Sequence, residues 1–287
     1  MPSSPQRTLS DWSQQAVVYL RRSPGSRSIA YFGAATLIVE VVAHLQDPNN
    51  PYALVREHLA VLPLGAALTY AFVTMRPEDY ARWNRVPLRQ GIRQALQGVG
   101  LGTAAFLVWL GIAKAKQWVS APVWGWEQAS MNEVLRSAAL LGVGHLAVAW
   151  NEEMVFRGYG FETVREALGQ GKAVVVLIPG FALYHGLDPQ QLLGMLAGGT
   201  TLMLLRLHSD ALWLPVGYHW AWNVLQTAIF GAPDAAPALR PLQVHGPEHW
   251  MGKPGQPEPG LLSTLIQLAM ALLVWLWTRR MRTQRRP

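Results

Sequence analysis

Residues 151–157 read NEEMVFR, with two adjacent carboxylates and an arginine four positions beyond the second. They follow an apolar run, LLGVGHLAVAW, where ionised side chains are costly unless they have partners. Two further polar groups interrupt later apolar runs. Phe181 and His185 form FxxxH within PGFALYHG, and His219 and Asn223 form HxxxN within GYHWAWN. Residues four apart share a helix face, so His219 and Asn223 can address one point, Phe181 can cover His185, and Glu153 can approach Arg157. Glu152 and Glu153 point about 100° apart on a helix, so at most one aims straight at a facing helix.

This set suits hydrolysis of an amide. Such a reaction needs an activated water, stabilisation of the charge on the tetrahedral intermediate, and a proton for the leaving nitrogen. A buried glutamate beside a second carboxylate can shuttle that proton. The histidines fit either of two routes. With a divalent metal such as zinc, Glu152, His185, His219 and Asn223 would be the ligands, with water in the open position. Without one, Glu152 and His185 would polarise water while His219 and Asn223 hold the oxyanion. The HExxH arrangement of soluble zinc proteases is absent, and there is no cysteine to act as nucleophile or ligand. No serine lies within the three motifs, and Ser209 falls near the expected edge of the membrane.

The elements that must position these groups read as membrane helices. The chain has 287 residues, 51% hydrophobic and only 14% charged, against about 25% charged in a typical soluble domain. Apolar stretches at 29–46, 54–75, 95–113, 134–163, 173–188, 190–206, 211–230 and 261–278 predict an all-α polytopic membrane protein with about eight transmembrane helices. Two of these stretches meet at Asp188-Pro189, an expected helix break. A net charge of +7 sits on the ends and between apolar segments, which favours anchoring at an anionic bilayer surface over nucleic-acid binding. The basic loop 76–93, with Arg82 and Arg85, and the tail RRMRTQRR predict cytoplasmic placement of both termini, whereas DPNNPY and APDAAPA carry no basic residue. Lys114 and Lys116 fall on the other side, beside Trp118, Trp124 and Trp126, which read as interface residues. No cleavable signal peptide is expected. Counted from Arg165, Lys172 and His208 as inner-edge markers, Glu153, His185 and His219 lie about 18, 20 and 16 Å deep at 1.5 Å per residue. That similar depth predicts one shared site.

NEEMVFRG, FALYH and HWAWN, in this order on successive hydrophobic segments, resemble the CPBP family of intramembrane endopeptidases, the CAAX-protease and bacteriocin-processing or Abi-like group. The resemblance covers roughly 134–230. It implies that Glu152 is the main acid/base, that Glu153 is its paired carboxylate, and that Arg157 orients or neutralises them. It also implies that His185, His219 and Asn223 bind a metal, position water or stabilise the oxyanion. The implied substrate is a membrane-associated protein or peptide, and the implied place is a bacterial inner membrane.

The expected organisation is a basic cytoplasmic segment at 1–28, a first transmembrane region at 29–133, the helical core at 134–230, an extramembrane loop at 231–260, and a last helix with a basic tail at 261–287. His245, His249 and Trp250 in that loop read as surface or interface side chains. Glu40 and His44 read as a pair one turn apart, and His58 and His145 as interhelical hydrogen-bonding groups. The same intramembrane Glu, Arg and His would also suit a proton-coupled transporter or a non-catalytic scaffold.

Overall fold

The structure is a computed structural model and describes residues 9–47, 53–76, 86–120, 127, 129–230, 242–253 and 256–284. Nearly all of it is helical. The helices are α1 (Leu9–Arg22), α2 (Pro24–His44), α3 (Ala53–Met75), α4 (Leu88–Ala115), α5 (Met131–Glu153), α6 (Tyr159–Leu168), α7 (Gln170–Tyr184), α8 (Pro189–Ser209), α9 (Trp213–Phe230), the short α10 (Glu248–Met251) and α11 (Leu261–Gln284). A π-helical turn, Met154–Gly158, joins α5 to α6. Two-residue strands, β1 (Val119–Ser120) and β2 (Gln243–Val244), pair antiparallel outside the bundle.

Local sequence fixes several boundaries. Ser130 and Glu133 form a reciprocal capping box that starts α5. Asp188 accepts hydrogen bonds from the Gln190 and Gln191 amides ahead of Pro189, so the expected break at Asp188-Pro189 is the start of α8. Beyond Glu153 the helical path continues through the π turn that contains Arg157 into α6.

The site-bearing helices are held by close backbone contact. On α4 and α9, a Cβ added at Gly98 would collide with the Leu214 carbonyl oxygen, and one at Gly217 with that of Ala95. Glycine is therefore required at this seam, which seats the His219 helix against α4. Around it, Phe106, Trp109, Tyr218 and Trp222 form part of the main buried cluster. Leu37, Val41, Leu64, Leu107, Leu272 and Leu273 are exposed on α2, α3, α4 and α11, the apolar exterior that lipid would cover.

The expectation of about eight transmembrane helices is corrected. Among the described residues four helical segments are long and apolar enough to cross a membrane: Pro24–His44, Arg56–Met75, Leu88–Ala115 and Leu261–Met281. The protein is thus a membrane-embedded, multi-pass helical bundle, but the other segments fall short for physical reasons. The α5 helix contains Glu133, Arg136, Glu152 and Glu153. The α7 helix has 15 residues, a rise of roughly 22 Å against about 30 Å of hydrocarbon. The α8 helix carries GGTT and Arg206, and α9 has 18 residues that include Tyr218, His219 and Asn223. Apolar runs in this half reflect burial within protein as much as contact with lipid.

The expected Glu40–His44 pairing takes another form, since His44 Nδ1 donates to the Glu40 carbonyl oxygen at 2.8 Å. The expectations placed on Arg7, Arg82, Arg85, Trp124, Trp126, Arg285 and Arg286, on most of DPNNPY and on APDAAPA lie outside the described residues.

Candidate active site

The NEEMVFR segment divides its two acids between different tasks. Glu153 is fully buried, and its Oε1 accepts from Arg157 Nη1 at 3.1 Å across one turn. Arg157, itself 1% exposed, also donates from Nη2 to the Gly199 carbonyl oxygen at 3.4 Å and lies 4.0 Å from the centre of the Phe181 ring. Arg206 supports the π turn from below. Its Nε donates to the Arg157 carbonyl oxygen and its Nη2 to Glu162 Oε1, both at 2.9 Å. Glu162 also pairs with Arg165. Neither Glu162 nor Arg206 stood out in the sequence, because each sits beside an expected membrane edge where charge needs no explanation.

Glu152 faces the other way, toward two imidazoles. Its Oε2 lies 3.6 Å from His185 Nε2 and 3.8 Å from His219 Nε2. His219 bridges the two acids, because its Nδ1 lies 3.0 Å from Glu153 Oε1. His185 Nδ1 lies 2.8 Å from the Phe181 carbonyl oxygen, and the Phe181 and His185 rings are 4.5 Å apart. The fold thus brings these groups together in a continuous run of close approaches, Arg157–Glu153–His219–Glu152–His185.

The partners also settle the imidazole tautomers. A carbonyl oxygen and a carboxylate both accept, so the Nδ1 atoms of His185 and His219 carry hydrogen. Both Nε2 atoms then turn toward Glu152 Oε2, which is buried without a hydrogen-bond partner among the described residues. Three acceptors at this spacing cohere only around a proton or a donating water.

These groups line a cavity of about 510 Å³, together with Asn223, which is nine-tenths buried. Asn223 stands one turn beyond His219 on α9, as its spacing predicts. The cavity wall contains residues that the sequence assigned elsewhere. His58 of α3 and His145 of α5 belong to it, as do Gln226 of α9 and Glu258. Glu258 comes from the segment expected to be an extramembrane loop. Gln226 Nε2 donates to its Oε1 at 2.8 Å, and a Cβ on Gly194 would collide with its carbonyl oxygen. Burial raises the Glu258 pKa, and the Gln226 hydrogen bond only partly opposes this. Around it, Met251 enters the main core, Trp250 stacks on Trp118 at 6.0 Å, and His245 Nε2 meets Ser120 Oγ at 2.6 Å. Lys253, Gln256 and Glu258 of this stretch line one side of the cavity, while His245 is exposed, as expected, and Trp250 is partly buried. Ser209 is spent on the backbone, donating to the Leu205 and Ala211 carbonyl oxygens.

The metal expectation is also corrected. Among the described residues no group of three or more His, Cys, Asp or Glu side chains is arranged to hold a metal ion. Glu152, His185, His219 and Asn223 therefore do not form the expected ligand set of a divalent metal such as zinc.

Comparison with curated proteins and with solved structures gave no match. A family model described as type II CAAX prenyl endopeptidase Rce1-like matches residues 134–225, the stretch that carries all three motifs. The match covers part of the chain and is consistent with the broader CPBP or Abi-like group of proteases; with the buried His–Glu network it supports a hydrolase-type site in a membrane protein.

Proposed function

We propose that the protein is an intramembrane endopeptidase that hydrolyses a peptide bond of a membrane-associated protein or peptide with water activated by Glu152. The observation that carries this reading is the placement of Glu152 Oε2 on the wall of the cavity, buried, without a hydrogen-bond partner among the described residues and flanked by two Nε2 atoms.

In this reading a water held between Glu152 and His185 attacks the scissile carbonyl carbon and gives one proton to Glu152. The C=O bond pair moves onto oxygen, and the resulting oxyanion accepts from Asn223 Nδ2 and from His219 Nε2, which holds the proton that the resting site shares among the two imidazoles and Glu152. As the C–N bond breaks, Glu152 passes its proton to the departing nitrogen, leaving an acid and an amine. Glu153 and Arg157 position His219: the carboxylate accepts from its Nδ1–H and fixes its tautomer, and the guanidinium holds that carboxylate in place. A general base of this kind contributes about 10²–10⁴ in rate, and one oxyanion donor about 10²–10³. The basic segments favour a bacterial cytoplasmic membrane with both termini inside.

The test is turnover of a membrane-tethered reporter peptide by purified protein. Glu152→Gln and His219→Ala are expected to remove cleavage while leaving membrane insertion intact. Unchanged turnover in both would defeat the assignment, as would proton-coupled flux across vesicles with no cleaved product.

A further inference from the structure

Two histidines of the cavity have no role in the proton chain. His145 precedes Glu152 by two helical turns on α5 and so shares its face. His58 comes from α3, whose backbone is tied to α5 beside the site by Asn151 Nδ2 donating to the His58 carbonyl oxygen at 3.1 Å. Both side chains line the cavity, His145 at 5% and His58 at 8% exposure. Among the described residues neither ring nitrogen of His145 has a hydrogen-bond partner, and neither has His58 Nδ1. A buried polar group without a partner weakens the fold, so two of them beside one cavity call for a ligand that completes them.

Their chemistry restricts that ligand. A neutral imidazole offers one N–H donor and one bare acceptor. A peptide unit offers the converse pair, one C=O and one N–H. A substrate helix must be unwound before its amide can reach Glu152, and this frees main-chain groups that find no water in hydrocarbon. An aliphatic chain would leave the ring nitrogens unpaired, and an anion would find no fixed positive charge on two neutral rings.

We infer that His58 and His145 are substrate-positioning residues that hydrogen-bond the unwound main chain of the peptide next to the scissile bond. This rests on the endopeptidase reading and adds a specificity element outside the stretch matched by the family model at His58 and outside the three motifs at both positions.

The test uses full-length protein and a fluorescent membrane-tethered peptide that the wild type cleaves. In a Glu152→Gln background, His145→Leu is expected to raise the Kd for this peptide by about tenfold or more. With Glu152 restored, KM should rise by a similar factor while kcat falls less. His145→Gln keeps a donor and an acceptor, and is expected to recover binding to within about threefold. Because His145→Leu removes an unsatisfied buried group, it should also raise Tm in the absence of peptide by about 2–4 °C. An unchanged Kd with a lowered Tm would assign His145 to structure and overturn the inference. So would a loss confined to kcat, which marks proton transfer. With cleavage present in the wild type and absent in Glu152→Gln, either result sinks only this inference. A wild type that cleaves no peptide sinks the endopeptidase reading as well.

Discussion

Arg157→Met probes the buried charge pair on which the position of His219 depends. Glu153 and Arg157 are 0% and 1% exposed and 3.1 Å apart. Removing the guanidinium strands a carboxylate whose Oε2 already has no hydrogen-bond partner among the described residues. Breaking a buried pair in this way costs about 3–5 kcal/mol. The same substitution deprives the Gly199 carbonyl oxygen of its donor and Phe181 of the cation over its ring. At about 2 °C per kcal/mol for a chain of this size, Tm should fall by roughly 6–10 °C. A second variant isolates the cause. Glu153→Gln with Arg157→Met removes both charges and keeps an amide oxygen for His219 Nδ1, so most of the lost stability should return. Thermal unfolding in detergent, followed by circular dichroism, reads both variants. A single variant within about 2 °C of wild type, or a double variant no more stable than the single, would refute the charge-burial account.

Three further expectations concern separate parts of the structure. Asn223→Ala should lower kcat by about 10²–10³ with little change in KM, the pattern of a lost oxyanion donor, as steady-state kinetics on the reporter peptide would show. Gly217→Leu should prevent α9 from seating on α4, because even its Cβ meets the Ala95 carbonyl oxygen; loss of folded protein in detergent gel filtration is the readout. Burial raises the Glu258 pKa, so its protonated form contributes stability that is fully present below about pH 4.3 and lost as pH rises through the folded-state pKa. Glu258→Gln should remove that share of the decline, measured as the difference in Tm between variant and wild type across pH.

The chemistry was more legible than the architecture. EExxxR, FxxxH and HxxxN could be read because helical periodicity places residues four apart on one face, and the contacts follow that rule at Glu153–Arg157 and Phe181–His185. Span number could not be read in this way. Hydropathy cannot distinguish an apolar face turned to lipid from one turned to protein, and much of α8 is buried against its neighbours. Contacts distant in sequence were hidden too. Nothing local places His58 opposite Glu152, or carries Glu258 back from a loop to the cavity. The metal reading failed because residue types alone fit ligands and proton carriers equally well, and only the folded arrangement shows that no three acidic or imidazole groups among the described residues are placed to hold an ion.

The central claim is that Glu152 delivers water directly to a peptide carbonyl. Its most direct test is a single turnover of the reporter peptide in ¹⁸O-water with enzyme in excess, followed by mass spectrometry of the new carboxyl terminus. The account predicts one solvent oxygen in that carboxyl group and no product from Glu152→Gln. Equal product from Glu152→Gln, or a first-turnover carboxyl group that lacks solvent oxygen, would contradict it.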